Sequence, residues 1–193
     1  GIRFSLPLPF NEVVQKVLVH QGLALVAGRK EGVAVVSLAD PLRPSVIRRI
    51  SQATLNGQVR NLDDVQDIAV IGDTLHVVNG SRRVAFDLSK PSLPQLGDGK
   101  ASGFLGLSAD GSRYVGSDDL KLYDASRPAY VREIGAYEPG GFSVPGASRG
   151  IHAQATTWLG LTTASVPDKT CMEHPAGYLG FYDFSRPDNI SLL

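Results

Sequence analysis

The chain has 193 residues with 19 basic and 19 acidic side chains, so it has no net charge with which to hold a polyanion, and no nucleic-acid partner is expected. Its apolar runs are short, well under the ~20 residues a bilayer-spanning helix needs, so no membrane span is expected in this segment. Cys171 is the only cysteine, which excludes an internal disulfide and a cysteine-based zinc cluster.

The first residues, Gly1-Ile2-Arg3-Phe4, lack an initiator Met and a secretory leader, and read as the start of a mature or excised piece of something longer. Phe4, Leu6, Leu8 and Phe10 alternate with Pro7 and Pro9. Proline in a strand belongs at an edge, so residues 1–12 read as an extended arm able to close a sheet.

Four units follow, each expected as a four-stranded antiparallel meander. In the first, Val14 to His20, Leu23 to Ala27 and Val33 to Leu38 are apolar strands joined by Gly-containing turns, and Pro44 to Ile50 is a more polar outer strand carrying Arg48 and Arg49. The second runs Val65 to Ile71, Thr74 to Val78, Arg83 to Leu88 and Leu93 to Lys100. The third runs Gly103 to Ala109, Arg113 to Gly116, Leu120 to Tyr123 and Tyr130 to Tyr137, with Asp110-Gly111 as its first hairpin turn. The fourth starts at Ile151, turns near Leu159-Gly160, resumes at Tyr178 to Tyr182 and runs out at Asn189 to Leu193. Stretches 51–64, 138–150 and 167–177 read as insertions.

In each unit the third strand ends in the same corner. Val84-Ala85-Phe86-Asp87-Leu88-Ser89-Lys90-Pro91 is the clearest copy, and Tyr123 to Pro128, Tyr182 to Pro187 and, with Ser37 in place of Asp, Val36 to Pro41 repeat it. The Asp carboxylate and Ser hydroxyl can accept bonds from N–H groups just ahead, and the proline fixes φ and removes a donor, so the strand stops and turns. Four copies of one corner mean a repeat protein.

The pattern of apolar strand, Gly turn and Val-x-Val-x-Asp-x-Ser-x-Pro-x-x-Pro resembles the LVIVD repeat, most closely at Arg83 to Pro94 and next at Gly32 to Pro44; Val131 and Ile190 replace its second proline in the last two units. Meanders of about 40 residues are the signature of a β-propeller. The expected fold is therefore an all-β, single-domain β-propeller of four four-stranded antiparallel blades, near 13–54, 62–101, 102–138 and 150–193, self-closed or part of a larger ring. The resemblance implies a bacterial or archaeal protein, exported or surface-linked, mostly without an assigned reaction.

Candidate sites follow from the blade alignment. Gln15, Gln66 and His152 take equivalent places on innermost strands, with Leu105 in the third blade, and could orient a ligand at the channel mouth. Asp63, Asp64 and Asp67 could offer oxygens to Ca²⁺ or another divalent ion, though without the alternation and central Gly of a dedicated calcium loop. Cys171, Glu173 and His174 lie in the 167–177 insertion, where a rigid repeat scaffold tends to contact partners. The repeated Asp87, Asp124 and Asp183 serve corners and are not acid/base partners. The expected function is a non-catalytic binding or scaffolding module of a larger exported or cell-surface (or periplasmic) protein, with no cofactor, whose partner is another protein or the remaining domains of its parent. The alternative is a propeller hydrolase or metal-dependent enzyme that gathers Gln66, His152 and Asp63 or Asp64 at the channel mouth.

Overall fold

The computed structural model describes residues 11, 13–100, 105–107, 112–116, 121–127, 130–136, 162–166, 176–180, 182–183, 186, 188 and 191–192. Of the predicted closing arm only Asn11 is among them. The segments 138–150 and 167–175, with His152, Cys171, Glu173 and His174, lie outside the described residues. Two compact units divide the chain, Gly1–Lys100 and Ala101–Leu193.

In the first unit, β1 (Val14–His20), β2 (Leu23–Gly28), β3 (Gly32–Ser37) and β4 (Ser45–Ile50) form one antiparallel sheet in chain order. A hairpin follows, β5 (Gln52–Leu55) and β6 (Gln58–Asn61). A second four-stranded meander comprises β7 (Val65–Ile71), β8 (Thr74–Asn79), β9 (Arg82–Asp87) and β10 (Gln95–Lys100). The blade strands fall within about two residues of the sequence reading. The insertion 51–64 between the two meanders carries its own pair of strands, which the sequence reading did not assign.

Hydrophobicity sets which strands go inside. β2 and β3 are near-continuous apolar runs buried on both faces, β8 and β9 are buried likewise but take His76 and Arg83 inside with their apolar residues, and β4 is mostly exposed. One core joins the two blades: Leu25, Val33 and Val35 from the first pack with Ile68, Val77 and Phe86 from the second, and Ala53 and Leu55 of the hairpin close it. Each such aliphatic side chain, fully buried, contributes about 1.5–3 kcal/mol.

The outer strand of every described blade carries the same irregularity. The register slips by one residue at Ile47 in β4 and at Leu96 in β10. It slips likewise at Ile134, on an outer strand in the second unit. There β11 (Leu105–Leu107), β12 (Arg113–Gly116), β13 (Lys121–Asp124) and β14 (Arg132–Ala136) form a third four-stranded antiparallel sheet. β15 (Thr162–Val166) pairs with β16 (Ala176–Gly180), and β17 (Tyr182–Asp183) with β18 (Ser191–Leu192). β16 thus begins inside the stretch expected to be an insertion.

The corners are built as their residues dictate. Ser89 N–H and Oγ–H donate to Asp87 Oδ1 at 2.9 and 2.5 Å, and Ser126 N–H and Oγ–H to Asp124 Oδ1 at 2.9 and 2.6 Å. In the first blade the Ser37 hydroxyl takes the carboxylate's place and accepts from Ala39 N–H at 3.3 Å. Pro41 and Pro91 then sit at the second position of turns closed by Arg43 N–H to Asp40 O (3.0 Å) and Leu93 N–H to Lys90 O (2.9 Å). The residue after each corner's Ser37, Asp87 or Asp124 donates its N–H back to the first hairpin turn of its own blade, Leu38 to Gly22 O, Leu88 to Asp73 O and Ala125 to Ser112 O.

Candidate functional site

The innermost strands of the first two blades bear the same bulge. Pairing slips between Val14 and Lys16 in β1 and between Val65 and Asp67 in β7, so Gln15 and Gln66 are the extra residues. Their predicted equivalence holds, and its cause is backbone geometry, since a bulge re-aims the side chain it carries. Gln15 is exposed, whereas Gln66 is half-buried and donates through Nε2 to Asp64 Oδ2 at 3.2 Å. His152, their predicted companion, lies outside the described residues.

The three aspartates separate. Asp67 is buried, receives Lys16 Nζ at 2.7 Å, and accepts from Ile68 N–H at 2.8 Å through the same oxygen. Asp64 faces Arg29 Nε at 3.6 Å, and its N–H donates to Asn79 Oδ1 at 2.8 Å. Asp63 is exposed and lines a different surface. Among the described residues no three His, Cys, Asp or Glu side chains form a group that could hold a metal ion. Asp64 and Asp67 are occupied in tying one blade to the next.

A buried polar pair lies deeper in the second blade. His76 and Arg83 are both almost fully buried, with Arg83 Nη1 and His76 Nδ1 2.8 Å apart. A guanidinium can only donate, so Nδ1 accepts and the imidazole proton sits on Nε2, which has no partner among the described residues. Burial first, and then the charge of Arg83, push the His76 pKa from 6.5 down to about 3. Asp98 lies nearby, bonded to Arg82 and to Asn56 N–H. Burial alone would raise its carboxyl, but those two bonds and the positive charges of Arg82 and Arg83 hold it below its ordinary value.

The hairpin supplies an open polar surface in the first unit. A cavity of about 380 Å³ is lined by Leu55, Val59, Arg60, Asn61, Asp63 and Asn79. Asn56 (φ 52°) and Gly57 (φ 73°) form its two-residue turn, both in the left-handed region a tight hairpin requires. Two side chains of β10 fix the hairpin to the outer strand of the second blade: Asp98 accepts from Asn56 N–H at 3.0 Å, while Thr54 N–H donates to Gln95 Oε1 at 2.8 Å and Gln95 Nε2 donates to Thr54 O at 2.6 Å. The Gln95 amide thus stands in for the backbone of a neighbouring strand.

Sequence reading passed over this surface because 51–64 interrupted the repeat. The Asn56-Gly57 dipeptide, with Ala53 and Leu55 alternating before it, is the signal that would have revealed it. In the second unit a space of about 320 Å³ lies at the corner of β13, lined by Asp124, Ser126, Arg127, Tyr130 and Arg132.

No protein-family model matches the chain, and no curated protein is similar to it in sequence. Solved structures resemble it in fold. They include the N-terminal domain of Nup159, at TM-score 0.57 and 15% identity, covering 97% of this chain and 50% of that one. A S. cerevisiae complex of Dbp5 bound to Nup159, Gle1, IP6 and ADP gives TM-score 0.57 at 13% identity, with the same coverage. The chain therefore spans about half the length of the structures it resembles. Taken with the four-stranded antiparallel meanders, the likeness assigns a β-propeller-type fold.

Proposed function

We propose that this chain is a non-catalytic binding module: a stretch of four β-propeller blades of the LVIVD-repeat kind within a larger exported or cell-surface protein. The observation that carries the reading is the use made of the polar side chains on the inner strands. Asp67 is committed to Lys16 and Ile68, and Asp64 to Arg29 and Gln66, so the groups an enzyme would aim at a substrate instead join one blade to the next. A scaffold stiffened in this way presents loops and strand edges to a partner. The length relationship supports a ring completed by further blades, since similar structures run to twice this span. In one of those structures Dbp5 is bound to Nup159, a precedent for such a fold in a protein complex.

Two measurements test the reading. Elemental analysis of the purified chain should find no stoichiometric metal, and its thermal unfolding should not respond to a chelator. A bound divalent ion whose removal lowers the melting temperature would overturn the non-catalytic assignment in favour of a metal-dependent one. An antibody raised to the chain should label intact cells, and labelling only after lysis would overturn the exported context.

A further inference from the structure

We propose that the free edge of β6 docks an extended segment of a partner protein, which adds as a strand beside Val59 and places an amide-bearing side chain in the adjoining cavity. This rests on the binding-module reading and names the kind of partner it takes.

The turn geometry decides which backbone groups face outward. In a two-residue hairpin the residues flanking the turn, here Leu55 and Gln58, share the first pair of ladder bonds. The next pair, Thr54 and Val59, lies between ladder bonds, so the N–H and C=O groups of these two residues point away from each other, toward the two outer edges. On the Thr54 side that edge is closed by Gln95. On the Val59 side the same two groups have no partner among the described residues, and Val59 is 69% exposed. All four residues of β6 are exposed.

Soluble proteins usually blunt such an edge with proline, lysine or a covering loop. β6 has none of these. Its one charge, Arg60, is drawn aside by Gln58 Oε1 at 2.6 Å. The cavity lies at the edge itself, because its lining takes Arg60 from one face of the hairpin and Val59 and Asn61 from the other.

The lining also selects the incoming side chain. Leu55 and Val59 offer apolar contact for a stem. Arg60 can only donate, and so can the Asn79 amide nitrogen, whose partner oxygen already accepts from Asp64 N–H. Asp63, when ionised, only accepts. A carboxylate would meet Asp63 and an ammonium would meet Arg60, whereas a carboxamide accepts from the one and donates to the other. The matching segment is an extended strand with glutamine at the position beside Val59, held by main-chain bonds as strand additions are.

The probe is a blocked five-residue peptide of alternating threonine and valine with glutamine at its centre, added to the isotope-labelled full chain. Amide shifts should change along Gln58 to Asn61 and at Asp63 and Asn79, and exchange of the Val59 amide should slow by about tenfold or more. Replacing the central glutamine with leucine should weaken binding, and N-methylation of the peptide should abolish it. Val59→Pro removes the outward donor and breaks no ladder bond of the hairpin, so it should abolish binding while the chain stays folded. Arg60→Glu, which leaves the backbone as it is and turns the donor into an acceptor, should weaken binding of the glutamine peptide, and unchanged affinity in both variants would overturn the proposal. Absence of protection at Val59, or shifts confined to another strand, would overturn the proposal. Shifts at another strand would leave the binding-module reading standing. A dimer by light scattering that Val59→Pro dissolves would also overturn it, since the edge would then belong to a second copy of the chain.

Discussion

Lys16 and Asp67 occupy the same place in successive blades, each one residue past the inner-strand bulge, and they bond each other at 2.7 Å. One position of the repeat therefore carries opposite charges in neighbouring copies, which ties the blades in register.

Removing either partner should loosen that joint. Lys16→Met takes the ammonium from a carboxylate whose side chain is only 4% exposed, and should destabilise the chain by about 2 kcal/mol in urea unfolding. Asp67→Asn keeps an oxygen for Ile68 N–H and should cost less. A double-mutant cycle should return a coupling of about 1 kcal/mol or more. Additive effects would mean that the pair contributes no coupling.

His76 makes stability depend on pH. Its folded pKa, about 3, lies below the unfolded 6.5, so as pH falls beneath 6.5 the unfolded chain takes up a proton that the folded chain refuses. Stability from this residue is complete above 6.5 and should decline by about 1.4 kcal/mol per pH unit toward the folded value. Denaturant titrations at pH 7, 6 and 5 should show the decline, and His76→Gln, which keeps an acceptor for Arg83, should flatten it. An unchanged slope in the variant would assign the pH dependence elsewhere.

The corner carboxylates act in the lower range. The Ser126 hydroxyl, the Ser126 N–H and the charge of Arg132 together hold the Asp124 carboxyl below its ordinary 3.8. Its contribution is therefore complete above 3.8 and lost as pH falls through the depressed folded value. Asp124→Ala should cost about 1 kcal/mol at neutral pH, the size of a lost capping bond, and Ser126→Ala should cost less because the backbone bond survives. Equal melting temperatures for wild type and Asp124→Ala would sink the corner assignment.

Gly32 and Gly22 offer a matched comparison. Both have positive φ, 80° and 76°, but a Cβ on Gly32 would stand 2.0 Å from Ile50 O, while one on Gly22 meets nothing within 4 Å. Gly32→Ala should cost more than about 3 kcal/mol or prevent folding, and Gly22→Ala only the ~1–2 kcal/mol of the left-handed backbone. Similar melting temperatures for the two variants would refute the close approach.

The blades were legible because the signals that make them are local. Val84 to Pro91 contains its own strand, cap and turn, and those residues behave in the fold as they do on the page. The equivalence of Gln15 and Gln66 was legible as an alignment, but the bulge behind it was not, since register is set between strands. The partners of the aspartates were not legible for a related reason: Asp63, Asp64 and Asp67 are near in sequence, but Asp63 and Asp64 precede β7 while Asp67 lies on it, and pairing across blades gives Asp64 and Asp67 different cations. The β5–β6 hairpin had its Asn56-Gly57 signal in plain view. What no local pattern could reveal is that Gln95, from another blade, holds it.

The bond from Leu38, Leu88 or Ala125 back to its blade's first turn clamps two loops together at one end of each meander. Extra residues inserted there would have to break that clamp. The opposite end, where β4 hands over to the next blade, is tied as well, by Val65 N–H to Arg29 O at 2.7 Å and Gly80 N–H to Asp64 O at 2.9 Å. It has nevertheless accepted a whole hairpin between Ile50 and Val65, whose own ends are joined by Leu62 N–H to Ser51 O at 2.8 Å. Length is gained there because an insertion that brings its own two ends together leaves the bonds on either side of it in place. New surface can be added in this way between blades, while the bonds at both ends of each meander keep the spacing that lets successive copies stack.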